Sequence, residues 1–194
     1  MTLSTQYRER SAVREGASMG IGGVSHEGAK WKCITIAELR DYRDGSLLRR
    51  VEDHGNILVY GGASVLWEAF IGNGSTSTGS AKHFFNSKCA LGIGNSSAAA
   101  VNTQKALQGG SKIFKIMSAG FPTHTTGSTV AAAAQVQFKS TFTTAQANFT
   151  WWEWGVANIA TTAAVQRLLN RKVANLLTKT SAATASLTVT LTLS

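Results

Sequence analysis

The sequence predicts a mainly β protein, an antiparallel sandwich, and three observations carry that prediction. SLTVTLTLS at the C-terminal end alternates strictly, with Leu187, Val189, Leu191 and Leu193 against Thr188, Thr190 and Thr192. Period-two alternation marks a strand with one buried face. VQFKSTF (136–142) repeats it, setting Val136, Phe138 and Phe142 opposite Gln137, Lys139 and Thr141. Third, two β-rich runs meet at Asp44-Gly45, where glycine tolerates the positive φ of a tight hairpin turn. Roughly seven strands separated by turn signals fit a sandwich of jelly-roll-like type.

Along the chain, residues 1–30 carry Gly16, Gly20, Gly22, Gly23 and Gly28 among alternating charges. They hold too little apolar surface to order alone, which predicts an extended N-terminal arm, ordered against a partner or disordered in the isolated chain. From Trp31 to Ser194 the pattern is that of one β-sandwich domain. KCITIAELRDY and SLLRRVEDHGNILVY form the hairpin. GASVLWEAFIG places Val65, Leu66, Ala69 and Phe70 at helical spacing, a short helix over about 63–71 ending at Gly72. GNGSTSTGS is a flexible loop. ALGIGNSS reads as a short strand entering a turn, AAAVNTQKALQGG as a polar loop, and KIFKIM (112–117) as a strand stopped at Gly120-Phe121-Pro122. RLLNRKVANLL suits a helix by spacing. Its β-rich surroundings favour a strand to Val173 with a turn at Asn175.

At 194 residues the chain is long enough to bury roughly 70% of its unfolded surface without disulfides or metal. Cys33 and Cys89 stand far apart and match no zinc spacing, so reduced, half-buried thiols are expected. The first residues show no apolar signal region, and no stretch has the apolar length of a membrane helix; synthesis in the cytoplasm is expected. Residues 1–68 balance nine basic against nine acidic side chains, whereas 69–194 hold ten basic and one acidic. The ten are scattered, apart from the Arg171-Lys172 pair and nearby Arg167. That dispersion favours solvated strand faces or contact with an acidic protein surface over nucleic acid.

Sites of chemistry are few. MGIGG (19–23) and LGIGN (91–95) lack both the Walker lysine and the third dinucleotide glycine, and read as turns. His26, His54, His83 and His124 are isolated, and no GxSxG elbow occurs. No catalytic, cofactor or metal residues are assigned. What remains is ANFTWWEWGVAN (147–158), with three of the five tryptophans and Glu153, the sole acidic residue after Glu68. In a regular strand, Phe149, Trp151 and Glu153 share one face and Trp152, Trp154 and Val156 the other. Both faces are largely aromatic, so the segment is expected to be covered on both sides, by core and by a loop or another subunit. A buried carboxylate there needs a partner, and Arg171 is the best candidate. A structural anchor is the preferred role, ahead of a sugar-binding platform. Glycosidic catalysis needs a second carboxylate that the sequence does not identify.

These residues also carry a resemblance. The ordered set LGIGNSSAAAVNTQKALQ, FPTH, VQFKSTFTTAQANFTWWEWGVAN, LLNRKV and TASLTVTLTLS resembles a group of tailed-bacteriophage structural proteins. Matching positions are Leu91, Gly92, Gly94, Thr103, Leu107 and Gln108. Further on they are Asn148, Phe149, Trp152, Glu153, Trp154, Gly155, Asn158, Leu169, Asn170, Arg171 and Lys172. The likeness covers about residues 55–194, including the GNILVYGGASVLWEAFIG helix. Two departures, Gly94-Asn95-Ser96-Ser97 without an aspartate and the AAAAQ insertion (131–135), place variation in loop surface.

The resemblance implies a β-rich particle component of tail, collar or fibre type. The leading expectation is therefore a non-enzymatic virion protein, a homo-oligomer with a trimer as one option, attached to other virion proteins by its arm. Phe149, Trp151, Trp152, Glu153, Trp154, Asn170 and Arg171 are its structural or interface residues, with Trp151 expected at a subunit interface. The alternatives are a capsid decoration (cement) protein and a host-glycan-binding module that uses Trp151, Trp152 and Trp154. Neither cofactor nor membrane insertion is expected, and nucleic acid is disfavoured.

Overall fold

The computed structural model describes residues 31–70, 84, 88–124, 135–161 and 164–193. The expected arm (1–30), the 72–80 loop and most of the AAAAQ insertion lie outside the described residues. In chain order the elements are β1 (Trp31–Asp41), β2 (Leu47–His54), β3 (Ile57–Leu58), α1 (Tyr60–Phe70), β4 (Cys89–Gly94) and β5 (Lys112–Ile116). They continue with β6 (Thr123–His124), β7 (Gln135–Phe142), β8 (Thr150–Thr161), β9 (Ala164–Leu168), β10 (Asn170–Thr178) and β11 (Ala183–Leu193). One sheet runs β2-β1-β11-β7-β6 and the other β3-β10-β8-β4-β5, with β9 also paired to β8. Every pairing is antiparallel. This is the β-sandwich that the alternating strands predict.

The β1–β2 hairpin turns at Gly45 with φ +73°, and Asp44 Oδ1 accepts from Ser46 N at 2.8 Å. The second run does not stay in one strand. Gly55, at φ +76°, ends β2, and Ile57–Leu58 pair with Asn170–Arg171 in the opposite sheet. β11 takes the middle of its sheet. Leu187, Val189 and Leu191 are buried there, and the threonine face is half-exposed.

Between the sheets those leucines and valine meet Cys33, Ala37, Phe138 and Phe142 from their own sheet and Leu91, Ile93, Trp154, Val156 and Leu176 from the other. Both open sides of the sandwich are laced by polar bonds. Ser140 Oγ on β7 donates to the carbonyls of Lys115 (3.0 Å) and Ile116 (3.1 Å) at β5. On the opposite side Lys172 Nζ on β10 donates to His54 O at 2.9 Å, beside Asp53 at 3.7 Å.

A second apolar cluster, Val59, Ala90, Leu107, Phe114, Ala157, Ile159 and Leu168, lies on the other face of the β8 sheet. The start of α1 and the 95–110 loop cover it. Gly62 makes the helix approach possible, because a Cβ there would overlap the Leu169 backbone. The RLLNRKVANLL segment is extended as expected, closing β9 and opening β10 on either side of Leu169, but it does not turn at Asn175. β10 runs on to Thr178, absorbing the change as a register irregularity between Val173 and Leu177.

Candidate functional site

β8 is the central strand of its sheet, between β10 and β4. Strict alternation along it fails at the tryptophans. Trp151 belongs to the inter-sheet core together with Trp154 and Val156, and packs edge-on against Phe142 with ring centroids 5.2 Å apart. The break coincides with an irregularity in the pairing with β10, where the step from Trp151 to Glu153 is matched by the longer step from Leu177 to Val173. The indole Nε1 of Trp151 donates to Ala147 O at 3.0 Å. Trp151 and Trp154 are both 0% exposed, so Trp151 stands in the chain's own core rather than at a subunit interface. Neither ring can offer a face to a sugar. Trp152 and Phe149 are half-buried.

Where β9 passes into β10 the ladder to β8 bulges. Leu168 faces Ala157 and Lys172 faces Trp154, so three residues on one side stand against two on the other. Asn170 repairs the gap: its Oδ1 accepts from Val156 N at 2.9 Å. Its backbone carbonyl occupies the space a side chain at residue 155 would need, which accounts for Gly155.

Glu153 and Arg171 point to the loop-covered side. Arg171 Nε donates to Glu153 Oε2 at 2.7 Å, and both side chains are 0% exposed. The pairing expected from the sequence is thus present. The carboxylate also accepts from Gln108 N (3.0 Å) and Gly109 N (2.6 Å). The guanidinium continues outward, donating from Nη1 to Ala99 O (3.1 Å) and Gln104 Oε1 (2.9 Å) and from Nη2 to Ala98 O (2.9 Å). Together the two charges bind both limbs of the 95–110 loop to the sheet. Desolvating such a pair offsets much of its attraction, yet removing one partner typically costs about 3–5 kcal/mol because the other charge is stranded.

The glycines of LGIGN, expected as a turn, lie inside β4 instead. A Cβ at Gly92 would overlap Phe114 and Leu107, and one at Gly94 would overlap the Glu153 carboxylate. They are glycine because ring and carboxylate lie flat on the strand. Gln104, Gln108 and Gly109 complete the arrangement, and residue-by-residue sequence reasoning missed them. The only sequence signal for them is the ordered spacing from Thr103 through Leu107-Gln108.

As chemistry, the site is closed. Both oxygens of Glu153 are engaged and sealed from solvent, so it is placed to hold a loop and not to exchange a proton with a substrate. Several of the basic groups after residue 68 are likewise committed inside the chain. Besides Arg171 and Lys172, Lys112 Nζ donates to Leu107 O (3.2 Å) and Lys179 Nζ to Asn148 Oδ1 (2.7 Å). Cys33 and Cys89 are free and buried more deeply than expected. Burial pushes the Cys33 thiol up to about 11 and raises that of Cys89 as well. His54 lies exposed beside Glu52 at 3.4 Å, and His26 and His83 lie outside the described residues. Comparison with protein-family models, with curated proteins and with solved structures finds no match for this chain.

Proposed function

We propose that the chain is a non-enzymatic structural component of a tailed-bacteriophage particle, a homo-oligomer joined to other virion proteins through residues 1–30. One observation carries this reading. The residues behind the resemblance to phage structural proteins are not scattered over the fold. Gly92, Gly94, Leu107, Gln108, Glu153, Gly155, Asn170 and Arg171 form one contiguous assembly in which each accounts for its neighbour's position. The one segment whose composition suggested chemistry is used to fasten a loop. A rigid sandwich laced on both open sides suits a particle part that bears load.

The glycan reading built on three tryptophans loses its support, since two of the rings are interior. Gold-labelled antibody against the protein, applied to purified particles of the phage that encodes it, tests the proposal. Label on the tail, collar or fibre is the expected result. Label over the head identifies the capsid-decoration alternative. Particles that carry none of the protein by labelling and by mass spectrometry contradict the virion reading.

A further inference from the structure

At the ends of the two sheets lie β2, β6, β3 and β5. β3 and β6 have two residues each, and at β5 the carbonyls of Lys115 and Ile116 accept from Ser140 Oγ. β2 differs from all of them. It is eight residues long and largely exposed, and among the described residues no strand pairs with its outer side. A bare edge of that length is a template for another strand.

Gly55 N donates to Cys33 O at 2.9 Å, which sets the alternation along the β1–β2 ladder. Arg49, Val51 and Asp53 therefore bond to β1, and the main-chain N–H and C=O of Arg50 and Glu52 point away from the sheet. His54 points outward too, but Lys172 Nζ donates to its carbonyl at 2.9 Å and closes that end.

The side chains select the occupant. The run Arg49-Arg50-Val51-Glu52-Asp53 reverses its charge about Val51. Laid antiparallel on a second copy, with Val51 on the partner's Val51, it sets Arg50 opposite the partner's Glu52 and Arg49 opposite the partner's Asp53. The same register brings the outward main-chain groups of Arg50 against those of the partner's Glu52, as an antiparallel ladder requires. Sliding the copies by one pleat repeat puts Arg50 on the partner's Arg50, or Glu52 on the partner's Glu52. Edge charges ordinarily deter pairing; these oppose the neighbouring registers and favour one.

Within one chain Arg50 lies 3.7 Å from both Glu38 and Glu52, and Glu52 lies 3.4 Å from His54. Such long, solvent-accessible pairs have little weight, and the partner's charges join them without displacing them. Asp53 faces Lys172 at 3.7 Å, so Arg50 and Glu52 carry the register.

We propose that two copies of this chain join through β2, as an antiparallel pair centred on Val51 that makes one sheet continuous across a two-fold dimer. The proposal rests on the homo-oligomer part of the particle reading and names its contact.

Sedimentation of the full chain and of two charge reversals, Arg50→Glu and Glu52→Arg, tests it. The unaltered chain is expected to form a dimer or an assembly of dimers. Each variant, its fold checked by circular dichroism, sets like charges opposite one another and is expected to self-associate at least about tenfold more weakly. Mixing the two variants restores opposite charges at both positions, so the equimolar mixture is expected to regain the dimer with one chain of each kind. A monomer at about 100 μM, or an odd number of copies, overturns the proposal. So do variants that associate as tightly as the unaltered chain, or a mixture no tighter than either variant alone. Oligomers that persist in both variants overturn the β2 contact and leave the homo-oligomer reading standing, whereas a monomer removes both. Label on purified particles decides the virion reading separately.

Discussion

The carboxylate of Glu153 fills the space that a side chain at Gly94 would occupy, directly across the β4–β8 ladder. It cannot retreat, because Gln108, Gly109 and Arg171 hold it from the other side. Gly94→Ala is therefore expected to destabilise by about 3 kcal/mol, the scale of a disrupted buried charge pair. Gly110→Ala is the control. Nothing lies within 4 Å of a Cβ there, and a change within about 0.5 kcal/mol is expected. Denaturant unfolding of the two variants checks both, and equal stabilities would refute the close-approach explanation.

The tryptophans should separate in the same way. Trp151→Ala leaves a large cavity beside Phe142 and should cost about 3–5 kcal/mol. Half-buried Trp152→Ala should cost clearly less. Thermal melts of the two variants read the difference, and a larger loss at Trp152 would reverse the assignment of faces.

The thiols supply a pH dependence with a definite sign. Burial raises the Cys33 pKa to about 11, so the folded chain keeps a proton that the unfolded chain loses near 9. Stability from this source is complete below pH 9 and is lost as pH rises through about 11. Cys89 acts in the same direction. Alkaline denaturant titrations should show that decline, reduced in Cys33→Ala. At neutral pH neither thiol should react with an aromatic disulfide reagent until the chain unfolds.

Much of this architecture is visible in local pattern. The threonine–leucine alternation of β11, the Asp44-Gly45 turn and the spacing of α1 each depend on residues close in sequence; the first two appear where expected, and α1 begins earlier than the expected 63–71, at Tyr60. The Glu153–Arg171 pair could be inferred because a lone carboxylate in an aromatic strand must be neutralised. What the pattern hides is tertiary. Trp151 changes face where β10 pairs irregularly with β8, and nothing in WWEW itself records that irregularity. Gly92 and Gly94 look like turn glycines because a missing side chain reads alike whether it frees φ or admits a neighbour. Asn170 is placed in a strand by the sequence, but its bond to the Val156 amide, 14 residues away across a bulge, has no local signal.

The central claim is that Glu153 serves structure through Arg171, and a double-mutant cycle tests it most directly. Denaturant unfolding is measured for Glu153→Gln, Arg171→Met and the pair together. Each single variant is expected to lose about 3–5 kcal/mol, and the double variant no more than the worse single, because the stranded charge is then gone. Unchanged stability in Glu153→Gln, or losses that simply add, would contradict the account.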